Sequence, residues 1–310
     1  MMERKSYHGI NILRGKIGTI RMTMERNNKL IFCDVDGTLV DDFDDINFMN
    51  LEYIKSSSEG FVIVTGRTQP QIVRFMSENE LNVDIIGGNG AFINYRNGIV
   101  ELRGEIESDI VTTICKLLEQ EDVIYLLHTV QGNFVPTGMD CKLWAERLAQ
   151  FHVDSSADGY HKWVSVYSNT FLRDSIGLFN SHEEIKTTSQ IIKIEVFSDK
   201  QVVLEKVVGI LWNMGGIRTE KSYLTSVEIV KAGVSKGAAV KEYMDMHFYN
   251  ENISSIAIGD NINDISMFEV VDYPFAVRNC CPGLEKYAKI LKSSNKEPFL
   301  LEIDDYMEEI

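Results

Sequence analysis

The chain has 310 residues, 44% hydrophobic and 10% aromatic, which is enough apolar material for one large folded domain or two smaller ones. Its formal net charge of -15 excludes a broad nucleic-acid footprint, because that requires clustered Lys and Arg. No run of 18 apolar residues is present to span a bilayer, and no early apolar run resembles a signal peptide. The composition predicts a cytoplasmic protein without nucleic-acid or membrane partners, and it is silent on oligomeric state.

The metal-binding patterns of zinc proteins are missing from the sequence. The five cysteines form no CxxC pair, and their odd number favours reduced thiols. The six histidines form no HExxH or related ligand pattern. We therefore expect no zinc site and no disulfide framework.

In chain order, residues 1–28 form a basic extension that we expect to be poorly ordered. From Leu30 onward, short apolar runs alternate with amphipathic stretches, which is typical of a parallel sheet flanked by helices. Predicted strands lie at 30–33, 61–65 and 83–86, and predicted helices at 46–55 and 69–80.

Between residue 91 and about residue 225 the alternation becomes irregular, which indicates a separate α/β unit inserted into the first. Its predicted strands include Trp163–Tyr167. The regular alternation returns with a predicted helix at 235–247 and a strand at 255–258. The predicted domains are 29–90 with 222–310 as a doubly wound parallel-sheet core, and 91–221 as the insert, with boundary errors of several residues.

The sharpest motif is Asp34-Val35-Asp36-Gly37-Thr38, directly after the first predicted strand. Open α/β sheets bind their ligands at the carboxyl ends of strands. Of two carboxylates placed there, one can attack phosphorus while the other moves a proton, as phosphoester hydrolysis requires.

Three further features occur at strand ends or helix starts. Val64-Thr65-Gly66-Arg67 can offer a hydroxyl and backbone N–H groups to a phosphoryl oxygen. Lys236 places an ammonium at a predicted helix N-terminus, where anions are favoured. The segment from Gly259 to Asp264, GDNIND, supplies hard oxygen ligands that suit Mg²⁺. The joint order of all four features argues against coincidence.

These segments resemble the four signature motifs of the haloacid dehalogenase superfamily: DVDGT, VTGR, the lysine of GVSKG, and GDNIND. The sequence is most similar to the Cof-type phosphatases, on the residues Gly88-Asn89-Gly90-Ala91, the stretch VEIVKAGVSKG and GDNINDISM. The resemblance implies a Rossmann-like core with an inserted α/β cap that closes over the site and selects the substrate.

The resemblance also implies a role for each motif residue. Asp34 would be the nucleophile and Asp36 the acid and base. Mg²⁺ would be held by the Asp34 carboxylate, the Asp36 carbonyl and Asp260, with Asp264 supporting these ligands. The phosphoryl oxygens would be held by Thr65, Gly66, Lys236 and Asn263.

The expected reaction is Mg²⁺-dependent hydrolysis of a small-molecule phosphate monoester, either a sugar phosphate or a phosphorylated cofactor. Asp36 argues against a dehalogenase, since a departing halide needs no proton donor. Two alternatives remain open: a sugar phosphomutase of the same superfamily, and a catalytically silent protein that binds phosphorylated metabolites.

Overall fold

The computed structural model describes residues 4–7, 10–13, 29–41, 44–57, 60–152, 157–173, 175–179, 184, 190–223, 225–249 and 252–308. The chain divides into two compact units. The first comprises Met1–Arg67, Ile72–Arg103 and Val234–Ile310, and the second Thr68–Gln71 and Gly104–Gly233. Within the part of the chain that is described, no helix combines the length and apolar character needed to cross a membrane.

The strands and helices are numbered in chain order. The strands are β1 (Arg4–Tyr7), β2 (Ile10–Leu13), β3 (Lys29–Cys33), β4 (Phe61–Val64), β5 (Asp84–Gly87), β6 (Phe92–Asn94), β7 (Ile99–Leu102), β8 (Ile124–His128), β9 (Asn133–Pro136), β10 (Ser175–Phe179), β11 (Lys193–Phe197), β12 (Ile217–Tyr223), β13 (Ser226–Lys231), β14 (Ser254–Gly259), β15 (Tyr273–Ala276) and β16 (Lys289–Ile290). The helices are α1 (Phe48–Ser56), α2 (Gln69–Glu78), α3 (Ser108–Leu118), α4 (Cys141–Ala149), α5 (Ala157–Ser168), α6 (Gln201–Leu211), α7 (Lys236–His247), α8 (Ile265–Phe268) and α9 (Phe299–Glu308).

The first unit is built on a sheet with the strand order β1-β2-β7-β6-β5-β4-β3-β14-β15-β16. The strands from β5 to β16 in this order are all parallel, whereas β6 pairs antiparallel with both β5 and β7. The parallel strands read as continuous apolar runs because both of their faces are buried, as FVIV in β4 shows. The predicted α/β fold with a parallel sheet is confirmed.

Strand pairing explains why both domain boundaries lie later in the chain than the sequence suggested. Residues 91–103, predicted to open the insert, carry β6 and β7, which extend the sheet of the first unit. Residues 222–233, predicted to belong to the core, include β13, which pairs with β11 and β12 of the second unit. Hydrogen-bonded ladders, which apolar patterns alone do not reveal, determine these assignments.

Most of the basic extension lies outside the described residues, so its expected disorder stays a prediction. Its described residues form β1 and β2, which pair antiparallel, and β2 also pairs with β7.

The second unit contains a sheet with the strand order β10-β9-β8-β11-β13-β12. On each face of this sheet, strand and helix side chains together form a hydrophobic cluster. Alternate residues of β8 point to opposite faces, as the pleat requires. Leu127 packs in the cluster that contains residues of α3 and α6, and Leu126 in the cluster that contains residues of α4 and α5.

The predicted strand at Trp163–Tyr167 is wrong, because these residues lie inside α5. Trp163 and Tyr167 are spaced four residues apart and so share one face of α5. The rings of Tyr167 and Phe171 stack at 6.1 Å between centroids. A five-residue segment rich in aromatic and β-branched residues is too short to distinguish a strand from this helix face.

A charged cluster lies within the sheet of the second unit. The Lys193 ammonium lies 2.7 Å from Glu228 and 3.7 Å from Glu195, and its side chain is 5% exposed. Glu195 and Glu228 are paired across β11 and β13, so Lys193 separates two like charges. His128 lies 3.1 Å from Glu195, and burial, followed by the charge of Lys193, lowers its pKa.

We expect Lys193→Met to lower the free energy of unfolding of the second unit by about 3–5 kcal/mol, because two buried carboxylates would lose their counter-charge. The matched control is Lys206→Met, since Lys206 contacts Glu121 at 2.6 Å but its side chain is 59% exposed. Its expected cost is about 0–1 kcal/mol. All three tryptophans (Trp144, Trp163 and Trp212) lie in the second unit, so tryptophan fluorescence during urea unfolding reports on this unit. Equal losses in the two variants would contradict the expectation.

Candidate active site

Three adjacent parallel strands end at the same edge of the first unit's sheet. Strand β3 lies between β4 and β14, and it is parallel to both. Asp34 follows β3, Thr65 follows β4 and Asp260 follows β14. Since the carboxyl ends of neighbouring parallel strands meet at one edge, the sheet brings these three residues together.

Lys236 links this edge to helix α7. Its Nζ donates to Asp34 Oδ1 at 2.6 Å and to Asp264 Oδ1 at 2.6 Å, and its side chain is buried. It is the first residue of α7, where the Ser235 hydroxyl caps the helix by accepting from the Ala238 N–H. The cap sets the direction in which the helix starts and thus places the ammonium between the two carboxylates.

Asp264 organises the loop after β14. Its Oδ2 accepts from the backbone N–H groups of Asp260 and Asn261 at 2.9 and 3.0 Å. Its Oδ1 is taken by Lys236, so both oxygens already have partners. Asp264 is therefore suited to hold the loop in place.

Thr38 joins the carboxylates of Asp34 and Asp260. Its hydroxyl donates to Asp260 Oδ1 at 2.9 Å and lies 3.4 Å from Asp34 Oδ2. This single side chain fixes the spacing between the DVDGT segment and the loop after β14.

Ligand atoms of Asp34, Asp260 and Asp264 lie within 4.8 Å of one another. Burial, only partly opposed by the Lys236 ammonium, raises the pKa of Asp34 well above its usual range. Burial and the charge of Asp264 raise the pKa of Asp260 to about 7. Burial alone would lower the pKa of Lys236, but Asp264 and Asp34 outweigh it and raise that pKa.

Three carboxylates thus face one ammonium, and this excess negative charge favours a bound cation. Carboxylate oxygens are hard ligands of the kind that Mg²⁺ and Ca²⁺ take. Since both oxygens of Asp264 are occupied, Asp34 and Asp260 are the side chains best placed to contact an ion. The donor set therefore fits a divalent metal ion.

The remaining predicted site residues are Thr65, Gly66, Asn263 and Asp36. The Thr65 hydroxyl is buried and accepts from the Arg67 N–H at 3.1 Å, next to Gly66. Asn263 lies in a 3₁₀ turn at Ile262–Asp264, and its side-chain oxygen is buried without a hydrogen-bond partner among the described residues. The carboxylate of Asp36 points toward Arg67.

Two residues of this unit received no role from the sequence, namely Thr38 and Arg67. Thr38 follows the DVDG segment directly, and that adjacency was the available signal. Arg67 ends the VTGR segment, and nothing in the sequence points to its contact with Asp36.

Comparison with known proteins identifies the family. Residues 31–299 match the haloacid dehalogenase-like hydrolases, so the chain belongs to this family and the recognition from sequence is confirmed. It is 24% identical to a putative phosphatase of Haemophilus influenzae, over 87% of this chain and 94% of that protein. It is 25% identical to the 5-amino-6-(5-phospho-D-ribitylamino)uracil phosphatase YwtE of Bacillus subtilis, with the same two coverages. The chain is an enzyme of the phosphatase class.

Solved structures share the fold. A haloacid dehalogenase-like hydrolase from B. subtilis has a TM-score of 0.72 and 21% identity, covering 86% of this chain and 95% of its own. A sugar phosphatase of haloacid dehalogenase subclass IIB has a TM-score of 0.68 and 18% identity, covering 91% of this chain and 100% of its own. At these identities the likeness supports the fold alone.

Gly37 permits the approach of Asp260, which generates a prediction about cation binding. Its φ of +86° is in the left-handed region, and a Cβ there would lie 2.4 Å from Asp260 Oδ2. We expect Mg²⁺ to raise the melting temperature of the wild type, and we expect Gly37→Ala, which should displace Asp260, to abolish that rise. Gly98→Ala is the matched control, because Gly98 has a φ of +79° with nothing within 4 Å of the added Cβ. Both variants carry the backbone strain, so retained Mg²⁺ stabilisation in Gly37→Ala would refute the role of this contact.

Proposed function

We propose that the protein is a magnesium-dependent phosphatase that hydrolyses small-molecule phosphate monoesters through an aspartyl phosphate on Asp34. The observation that carries this proposal is the convergence of Asp34, Lys236 and Asp260 at one sheet edge. A buried carboxylate next to an ammonium suits nucleophilic attack on phosphorus, and the second carboxylate would help to hold a divalent cation that neutralises phosphoryl charge.

In the first step, a carboxylate oxygen of Asp34 attacks phosphorus as the bond to the leaving oxygen breaks. Asp36 gives its proton to that oxygen, so an alcohol departs. In the second step, water attacks the aspartyl phosphate and transfers a proton to Asp36. The bond between phosphorus and Asp34 then breaks and inorganic phosphate is released.

The surrounding groups stabilise the charge that develops on the phosphoryl oxygens. Lys236 supplies a buried ammonium, and we assign the hydrogen bonds to the phosphoryl oxygens to Thr65, Gly66 and Asn263. Asp34, the Asp36 carbonyl and Asp260 would hold Mg²⁺, which neutralises phosphoryl charge when bound. Asp264 keeps Lys236 and the loop after β14 in place.

The substrates that we infer are sugar phosphates or phosphorylated cofactors. The YwtE relative is named for a phosphorylated ribityl compound, and one structural neighbour is described as a sugar phosphatase. We further propose that the second unit is the cap that selects among such substrates. All five cysteines are free thiols, which supports a reducing, cytoplasmic location.

Asp34→Asn and Asp36→Asn should each lower turnover of p-nitrophenyl phosphate in Mg²⁺ by orders of magnitude, because Asp34 attacks phosphorus in the first step and Asp36 is the base that the second step requires. The control is Asp245→Asn, since Asp245 is exposed on α7 and pairs only locally with Lys241 at 3.0 Å. Circular dichroism should show the wild-type fold in all three variants. Near-wild-type turnover by Asp34→Asn would end the nucleophile assignment.

The reaction type is tested with a substrate labelled on its phosphoryl group. A hydrolase releases all label as inorganic phosphate, whereas a phosphomutase leaves label on the sugar. Acid quenching during a single turnover should yield protein-bound label that hydroxylamine removes, as expected for an acyl phosphate. The label should be absent from Asp34→Asn, and label retained on the sugar would favour the mutase.

A further inference from the structure

Arg67, the residue that ends the VTGR segment, holds the side chain of Asp36. Its Nε lies 3.2 and 3.1 Å from the two carboxylate oxygens of Asp36, and its Nη2 donates to Oδ1 at 2.6 Å. The same Nη2 also donates to Asp44. A guanidinium that contacts both oxygens of a carboxylate fixes the direction and the plane of that group.

Arg67 is itself held from several sides. Its guanidinium lies over the Phe75 ring, 5.1 Å from the centroid. Its backbone N–H donates to the Thr65 hydroxyl at 3.1 Å, and its carbonyl accepts from the Gly88 N–H at 3.0 Å. The Arg67 side chain is 14% exposed, whereas that of Asp36 is 43% exposed. The less mobile partner of this pair is therefore the arginine.

Arg67 also stays charged. Burial by itself lowers the pKa of Arg67, but the carboxylates of Asp36 and Asp44 outweigh burial and raise it. The positive charge next to Asp36 is thus permanent.

Resting on the phosphatase function proposed above, we propose that Arg67 is a positioning residue that orients Asp36 for proton transfer to the leaving oxygen. An acid must lie within hydrogen-bond reach of the atom that it protonates, and a half-exposed side chain on a loop samples many rotamers. When Asp36 gives up its proton, the guanidinium stabilises the carboxylate that remains. That carboxylate is the base which the second step requires.

The competing interpretation is an ordinary surface ion pair, worth about 0–1 kcal/mol of stability. An ion pair of that kind would affect all substrates alike. A positioning residue acts only through Asp36, so its loss should depend on how much the leaving group needs a proton.

The test compares kcat/KM for two esters in the full-length enzyme with Mg²⁺. p-Nitrophenolate departs without a proton, whereas the alcohol of an alkyl phosphate needs one. The alkyl substrate is the best one found in a panel of metabolite phosphates. Arg67→Met should lower kcat/KM for the alkyl phosphate by about 100-fold, the cost of a small misplacement of a catalytic group. The value for p-nitrophenyl phosphate should change only a few-fold.

Two further measurements make the result decisive. In an Asp36→Asn background, Arg67→Met should cause no additional loss, because its effect passes through Asp36. Arg278→Met is the matched control, since Arg278 contacts Glu297 at 2.6 Å in the same unit and should leave both esters unaffected. If Arg67→Met does not fold, Arg67→Gln replaces it with the same expectation.

The two proposals fail in different ways. Equal losses on both esters, or a full additional loss on Asp36→Asn, would overturn the role of Arg67 while leaving the phosphatase function standing. A wild-type enzyme that hydrolyses neither p-nitrophenyl phosphate nor any alkyl phosphate would overturn the phosphatase function itself.

Discussion

The site depends on the repulsion among three carboxylates that the fold gathers around one buried ammonium. Asp34, Asp260 and Asp264 have ligand atoms within 4.8 Å of one another, and Lys236 contacts two of them. Like charges in a poorly solvated place are costly unless a proton or a cation compensates them. Burial first, and then the neighbouring carboxylates, raise the pKa values of Asp34 and Asp260. The fold therefore gathers excess negative charge at this site, and a bound divalent cation can compensate that charge.

The topology explains how distant segments supply this cluster without long loops. Asp34 and Lys236 are 202 residues apart in the chain but are joined by a 2.6 Å contact. The second unit leaves the first after Arg103 and the chain returns at Val234, two residues before Lys236. Most of the separation is thus contained in a unit with its own sheet and its own cores. The strands that carry Asp34, Thr65 and Asp260 remain direct neighbours, so the insertion leaves the strand order at the sheet edge intact.

The parts of the structure that follow from local patterns were predictable from sequence, and those that depend on pairing were not. Apolar runs such as FVIV and the Gly and Asp residues after them identified the strands of the core and the residues at their ends. The boundaries of the insert depend on ladders, since β6 and β13 are recognisable as core or insert only from their partners. Trp163–Tyr167 shows that a short segment rich in aromatic and β-branched residues can also lie in a helix. The contact between Arg67 and Asp36 depends on a side-chain direction, about which the VTGR segment carries no information.

The second unit contains another buried charged cluster, and the comparison shows why excess charge alone does not make a metal site. There, Glu195 and Glu228 flank Lys193, so carboxylates again outnumber the ammonium. The two carboxylates project from paired positions on β11 and β13, and the lysine lies between them.

Among the described residues, Asp34, Asp260 and Asp264 are the group of three whose ligand atoms converge within 4.8 Å. That convergence requires a loop which folds back on itself, as the contact of Asp264 with the Asp260 N–H allows. In the regular ladder of the second unit, the Lys193 ammonium contacts both carboxylates and so compensates their charge. The end of a strand, where the chain leaves the ladder, is therefore where oxygen ligands can gather around one ion.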